Sequence, residues 1–112
     1  MVQYKFAHVG LPNATPEAAN ALADVLRDLF GFPSFALPAS TMATENIELL
    51  HSGTRPHLGI YTSDIDAAVR ELRDKGVTFD EKSAAYRGGQ LVSIFMAEDF
   101  GGIQIHLVQK RG

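Results

Sequence analysis

The chain has 112 residues, a formal net charge of −3 and no cysteine. The charge argues against a nucleic-acid partner, because no cluster of Lys and Arg offsets the acidic average. The absence of cysteine excludes disulfides, thiolate metal ligands and cysteine nucleophiles, so any metal must be held by nitrogen and oxygen. We find neither a signal-peptide core nor an apolar stretch long enough to span a bilayer, and therefore expect a cytoplasmic protein without a membrane partner.

Two short motifs each occur twice in the chain. Residues 8–11 read His-Val-Gly-Leu and residues 57–60 read His-Leu-Gly-Ile. Residues 47–50, Ile-Glu-Leu-Leu, correspond in the same way to residues 105–108, Ile-His-Leu-Val. Self-similarity of this kind is the signature of repeated structural units. We therefore predict one domain over residues 1–112 that consists of two like modules, at about residues 4–52 and 56–110.

The first module reads as a strand, a helix and further short strands. Thr15 is a suitable N-cap, Pro16 suits the first helical position, and Gly31 is placed to end the helix. Apolar residues recur between them at helical spacing, so one face of the helix should lie against a sheet. Residues 32–37 and 41–50 are short and punctuated by proline, which predicts a hairpin or a small meander.

The second module repeats this order. Its helix is predicted to begin at Ser63, with Asp66 completing an imperfect capping box, and to end at Gly76. Strands are predicted at residues 77–80, 91–96 and 103–108, with a turn signal at the Arg-Gly-Gly of residues 87–89. The sequence thus predicts an α+β fold of two βαβββ modules.

Four strands each carry one polar side chain that can bind a metal. They are His8, Glu48, His57 and His106. Side chains alternate between the two faces of a strand, so the aliphatic neighbours of these four should face the helices and the four themselves the opposite face. A sheet curved towards that face would bring them together, with Gly10 and Gly59 leaving room beside the histidines.

Any one of the four alone is more often a surface residue or a hydrogen-bonded core residue than a ligand. The four residues occupy equivalent positions in the two modules, which favours a shared role as ligands. In addition, burying a carboxylate without a partner costs so much free energy that a bound cation is the simpler explanation. The sequence therefore predicts a shared metal site. His51 has no repeat counterpart, and we expect it to be a solvated loop residue.

The pattern resembles the vicinal oxygen chelate superfamily of glyoxalases, bleomycin resistance proteins and dioxygenases over nearly the whole chain, as a short stand-alone domain. The resemblance implies two βαβββ modules that form a cupped, mostly antiparallel sheet around one divalent metal ion. His8, Glu48 and His57 match the bacterial glyoxalase I ligands in position and kind. On the final strand glyoxalase I has its catalytic glutamate, whereas this chain has His106, which argues against glyoxalase I activity itself.

The resemblance implies isomerase or lyase chemistry through a metal-chelated enediolate of a small hydroxy- or keto-carbonyl substrate. Zn, Ni, Co, Mn and Fe all suit a ligand set of imidazoles and one carboxylate. Glu48 is a ligand and also the candidate catalytic base, provided that it leaves the metal and that its pKa rises in an apolar cup. Three residues before the penultimate strand are candidate contacts for an anionic substrate group. They are Tyr86, Arg87 and Gln90.

Two other functional classes stay open. One is a metal-free module that binds and sequesters a small molecule, although four intact ligand candidates argue against it. The other is an iron-dependent dioxygenase, for which a fourth ligand would crowd the metal. A homodimer is expected, with sites formed either within one chain or across a twofold interface.

Overall fold

The computed structural model describes residues 2–110, which form two βαβββ modules, as the sequence predicts. The elements are β1 (Tyr4–Pro12), α1 (Pro16–Phe30), β2 (Ser34–Ala36), β3 (Ser40–Ala43), β4 (Ile47–Leu50), β5 (His57–Thr62), α2 (Ile65–Asp74), β6 (Phe79–Arg87), β7 (Gln90–Met96) and β8 (Gln104–Gln109). The strands follow the order β2-β3-β4-β1 in the first half of the chain and β5-β8-β7-β6 in the second half. The α+β fold class is therefore confirmed.

The chain divides into two compact units. The first consists of His8–His57, and the second of residues 2–7 together with residues 58–110. Strand β1 therefore contributes its beginning to the second unit and its end to the first.

In the first unit, α1 begins and ends where the sequence predicts. The hydroxyl of Thr15 accepts a hydrogen bond from the backbone N–H of Ala18 at 3.1 Å, which satisfies one of the donors that a helix start leaves open. Gly31 closes the helix with a φ of 74°, a left-handed conformation that favours glycine. Ala19 and Ala23 are the buried residues of this helix, and they pack in a core with β3 and β4.

The sheet of the first unit is the predicted meander with β1 added. Strands β2, β3 and β4 pair antiparallel, and β4 pairs with β1 in parallel. Leu49 is fully buried in the core that α1 covers. Because neighbouring side chains of a strand point to opposite faces, Glu48 points away from α1. Met42 and Gly10 are the register partners of Glu48 and share its face.

In the second unit, α2 begins at a different residue from the one predicted. Asp64 is the N-cap and accepts from the N–H of Ala67 at 3.2 Å, so the capping box predicted at Ser63 is wrong. The hydroxyl of Ser63 instead accepts from the backbone N–H of Gln3 at 3.0 Å. The helix ends at Asp74 and is followed by Gly76 with a φ of 95°.

Strand β6 is longer than the sequence predicts. It runs to the predicted turn at residues 88–89, where Gly88 and Gly89 have φ of 58° and 78°, and β7 returns beside it. The pairing is irregular between Asp80 and Tyr86. The hydroxyl of Ser83 bridges this irregular stretch, since it accepts from the N–H of Phe95 and donates to the carbonyl of Asp80.

The core of the second unit lies between α2 and the sheet. It contains Ile65, Ala68, Val69, Phe79, Ile94 and Leu107. Gln109, at the end of β8, accepts from the backbone N–H of Ile65 at 2.7 Å and donates to the carbonyl of Ser63 at 3.0 Å. The side chain of Gln109 thereby ties the start of α2 to the sheet. Neither helix within residues 2–110 has the length and apolar character needed to cross a bilayer.

Candidate metal site

Three of the predicted ligands meet within the first unit. The Nε2 atoms of His8 and His57 lie 3.1 Å apart, and their rings meet edge to face at an angle of 88°. Oε1 of Glu48 lies 3.4 Å from Nε2 of His8 and 3.2 Å from Nε2 of His57. Two imidazole nitrogens and one carboxylate oxygen therefore form a nearly equilateral triangle of donor atoms.

The dimensions of this triangle fit a single metal ion. Donor atoms that are each bound at about 2.1 Å lie about 3.0 to 3.4 Å from one another when they share one ion. The three observed separations fall in that interval. Imidazole and carboxylate donors suit divalent zinc, nickel, cobalt, manganese or iron. The residues present therefore fit a divalent metal ion.

A glycine makes room for one of the imidazoles. Gly10 is the register partner of Glu48 in the neighbouring strand, and a Cβ at Gly10 would lie 2.1 Å from Cε1 of His57. The ring of His57 thus occupies the space that any side chain at residue 10 would need. His57 is 6% exposed, so its ring has little room to move aside. This explains the His-x-Gly spacing of the first repeat in physical terms.

A serine that the sequence did not single out holds the carboxylate. The hydroxyl of Ser40 donates to Oε2 of Glu48 at 2.8 Å, and Ser40 is 3% exposed. Ser40 is the register partner of Leu50 on β4, which places it diagonally across from Glu48. Alternation along β3 could not identify this contact, because it depends on the register between β3 and β4.

The charges of the cluster suit metal binding. Hydrogen bonds from His57 and from Ser40, together with the charges of the imidazoles, outweigh desolvation and lower the pKa of Glu48 to about 2. Burial lowers the pKa of His8, although the charge of Glu48 acts in the opposite direction. An ionised carboxylate and a neutral imidazole are the protonation states in which these groups bind a metal.

The fourth predicted ligand belongs to the second unit. His106 lies on β8 beside Leu107, which is buried in the core against α2, so its side chain is on the face away from that helix. The ring of His106 stacks on Phe95, with centroids 4.4 Å apart and an angle of 18° between the planes. This is the orientation that the repeat predicts, because Glu48 has the same relation to Leu49 and α1.

Two of the three predicted substrate contacts, Tyr86 and Gln90, lie on the helix side of the second unit. Nε2 of Gln90 donates to Oδ2 of Asp66 on α2 at 3.1 Å. Tyr86 lines a cavity of about 340 Å³ together with Asp66 and Ile94. Arg87 is exposed and pairs with Gln90 at the end of the hairpin. The structure therefore does not bring Tyr86 and Gln90 to the face that carries His106.

His51 is not simply a solvated loop residue. Its Nε2 lies 2.8 Å from Oγ1 of Thr41, and that hydroxyl also lies 2.6 Å from Oδ1 of Asn20 on α1. Thr41 is 5% exposed and is the register partner of Leu49, so this network is on the helix side of the sheet. His51 is thus separate from the three donor atoms on the other face.

Comparison with solved structures finds the same fold in a family of epimerases. A variant of methylmalonyl-CoA epimerase from Streptomyces coelicolor, in complex with 2-nitronate-propionyl-CoA, has 18% identity and a TM-score of 0.70, covering 96% of this chain and 98% of that chain. A methylmalonyl-CoA epimerase in complex with methylmalonyl-CoA and NH4+ has 19% identity and a TM-score of 0.71, covering 96% and 95%. A hypothetical protein from Bacillus halodurans C-125 has 16% identity and a TM-score of 0.67, covering 98% and 96%.

Sequence comparison identifies the family. No curated protein matches the chain. A model of the Glyoxalase/Bleomycin resistance protein/Dioxygenase superfamily matches residues 6–107, which is nearly the whole sequence. The chain therefore belongs to this superfamily, the vicinal oxygen chelate proteins that its repeated histidine motifs resemble.

Proposed function

We propose that the chain is a metal-dependent enzyme that carries out isomerase or lyase chemistry on a small hydroxy- or keto-carbonyl substrate. One observation carries this proposal, namely the convergence of His8, Glu48 and His57 at separations typical of atoms that share one ion. A bound divalent ion would polarise a substrate carbonyl and so make the proton on the neighbouring carbon easier to remove.

His106 is the proposed fourth ligand. It occupies the position on β8 that Glu48 occupies on β4, and in each unit the next residue along the strand is buried against the helix. Phe95, stacked on its ring, would hold the imidazole in a fixed orientation. Three imidazoles and one carboxylate would leave the site a net charge near plus one with a divalent ion bound.

Glu48 is proposed mainly as a ligand. A general base works best with a pKa near the working pH, and a carboxyl with a pKa of about 2 is a weak base at neutral pH. Glu48 could take a proton from substrate only after losing its hydrogen bonds with His57 and Ser40, since these keep the carboxylate ionised. The role of catalytic base for Glu48 therefore requires that the side chain move.

The structural neighbours favour isomerase over lyase chemistry. Those that are named as methylmalonyl-CoA epimerases are isomerases, and their complexes contain acyl-CoA molecules. We propose a small carbonyl compound as the substrate of this chain, with acyl-CoA thioesters as one class to be assayed. Tyr86 and Gln90 would contact such a substrate only if it extends to the helix side of the second unit, and the exposed Arg87 at the end of the hairpin is proposed to contact an anionic group of it.

We further propose that the protein is a cytoplasmic homodimer. Large apolar side chains are exposed at the end of α1, where Leu29 is 69% and Phe30 is 64% exposed, and a partner chain would cover them. Light scattering that gives the mass of a single chain would contradict the dimer without affecting the proposed metal site.

The decisive experiment begins with elemental analysis of protein purified without chelators. We expect about one divalent ion per chain, lost in His8→Ala and retained in His51→Ala, since His51 bonds to Thr41 on the other face. Exchange of the substrate proton with solvent, followed by NMR in D2O over a panel of hydroxy-, keto- and acyl-CoA compounds, then tests the chemistry. Wild-type protein that binds no ion but sequesters a small molecule would contradict the proposal, and oxygen consumption with bound iron would favour a dioxygenase.

A further inference from the structure

We propose that Ser40 is a positioning residue that restricts Glu48 to binding metal through a single oxygen, Oε1; this inference rests on the metal site proposed above. The two carboxylate oxygens have different surroundings. Oε1 lies 3.4 Å from Nε2 of His8 and 3.2 Å from Nε2 of His57. Oε2 instead accepts the hydroxyl of Ser40 at 2.8 Å.

The position of Ser40 makes this contact rigid. Ser40 is 3% exposed and begins β3, and its backbone carbonyl accepts from the N–H of Leu37 at 2.9 Å across the turn from β2. Both residues are therefore held by the sheet, with a short side chain on Ser40 that has few orientations. A hydrogen bond between two groups fixed in this way constrains the carboxylate plane as well as its position.

The contact with Ser40 would determine how many oxygens of Glu48 bind the ion. A carboxylate without a partner on its second oxygen is free to rotate and to use both oxygens on one ion, or to swing away from it. With Ser40 on Oε2, only Oε1 is presented to the imidazoles. Removing the hydroxyl should therefore weaken binding and also change the number of donor atoms that Glu48 supplies.

A set of three variants tests this role. Ser40→Ala removes the hydroxyl and Ser40→Thr retains it. Thr41→Val is the matched control, because Thr41 is an equally buried hydroxyl on the next residue of β3 that contacts Asn20 and His51 instead of Glu48. For each we would measure the dissociation constant for Zn2+ and the visible absorption spectrum of bound Co2+, whose intensity falls as the number of donor atoms rises.

Ser40→Ala should bind Zn2+ about 10- to 100-fold more weakly than wild type, which is the usual effect of losing a partner of a ligand. The visible absorption of bound Co2+ should also be weaker in Ser40→Ala, because Glu48 would then supply a second donor atom. Ser40→Thr and Thr41→Val should both match wild type in Zn2+ affinity and in the Co2+ spectrum. A Ser40→Ala protein with the affinity and spectrum of wild type overturns the inference and leaves the metal site intact. Wild-type protein that binds neither ion refutes the metal site itself.

A second variant applies if circular dichroism shows that Ser40→Ala does not fold. Ser40→Cys keeps a weaker donor of similar size and should show an intermediate loss of Zn2+ affinity. A Ser40→Cys protein equal to wild type overturns the inference.

Discussion

The ring of His57 occupies the space that a side chain at Gly10 would need. Gly10 is buried on β1, and a Cβ built on it would lie 2.1 Å from Cε1 and 2.4 Å from Nδ1 of His57. Real Cβ atoms do not approach other heavy atoms so closely, so the imidazole can hold its place only while residue 10 has no side chain. The lack of a side chain at residue 10 therefore determines where the ring of His57, a proposed ligand, can lie.

Gly10→Ala should therefore damage the metal site. The new methyl group must displace the ring of His57, which separates its Nε2 from Oε1 of Glu48. We expect Zn2+ affinity to fall by at least about tenfold, and the free energy of unfolding to fall by about 1–3 kcal/mol, as is typical for an overpacked buried position. Isothermal titration calorimetry and urea denaturation measure the two effects.

Gly31→Ala is the control for this loss. Gly31 has a φ of 74° and nothing within 4 Å of its would-be Cβ, so alanine there strains the backbone at the end of α1 without touching the imidazoles. It should lower stability by about 1–2 kcal/mol and leave the affinity for Zn2+ unchanged. Equal affinity in Gly10→Ala and wild type would show that His57 does not need this space.

The acid dependence of stability should reveal the carboxylate. The pKa of Glu48 is lowered from 4.5 to about 2 in the folded protein, so the folded state binds this proton less readily than the unfolded chain. The stabilisation is fully present above about pH 4.5 and is lost as the pH falls through about 2. Metal-free Glu48→Gln should thus be less stable than wild type at pH 6, with a difference that shrinks as the pH is lowered towards 2.

Urea denaturation across this pH range measures the difference. Glu45→Gln is the control, because Glu45 lies in the turn between β3 and β4 and is exposed. This variant should follow the wild-type curve to within about 0.5 kcal/mol. A stability difference between wild type and Glu48→Gln that stays constant with pH would mean that the carboxylate is not held ionised by its neighbours.

The fold was predictable because its signals are local or repeated. The motifs at residues 8–11 and 57–60 reveal the duplication, while Thr15 and Gly31 define α1. Strand β6 was only partly predicted, because its pairing with β7 is irregular and relies on the hydroxyl of Ser83. Such bridging contacts leave no periodic signal in the sequence.

The site was predictable only where the alternation of side chains between the two faces of a strand was enough to place a residue. Leu49 is recognisably a core residue, and this places Glu48 on the opposite face. The contact from Ser40 depends on how β3 and β4 are aligned by the turn at Thr44, which has a φ of 62°. The side of the sheet on which Tyr86 lies depends in turn on the irregular pairing of β6, and a shift of one residue reverses the face of each following side chain.

His106→Ala tests the fourth ligand directly. If His106 binds the ion, this variant should lose at least about 100-fold in Zn2+ affinity, at or beyond the upper end for the loss of a mere partner of a ligand. His51→Ala removes an imidazole that bonds to Thr41 and should bind Zn2+ as wild type does. Equilibrium dialysis compares the two, and equal affinities would exclude His106 from the ligand set.

Gln109 should contribute more to stability than an ordinary residue near the end of a strand. Its Oε1 accepts the N–H of Ile65 at 2.7 Å, and Ile65 is fully buried at the first turn of α2. Gln109→Ala leaves that donor unsatisfied and should lower the free energy of unfolding by about 1–3 kcal/mol. Gln109→Glu keeps an acceptor and adds a negative charge at the positive end of the helix, so its free energy of unfolding should fall by less than that of Gln109→Ala.

Gln90→Ala is the control for this loss. It removes an exposed glutamine bonded to Asp66 and should change the free energy of unfolding by less than about 0.5 kcal/mol. Thermal and urea unfolding rank the three variants, and if Gln109→Ala proved as stable as Gln90→Ala, the start of α2 would not depend on this contact.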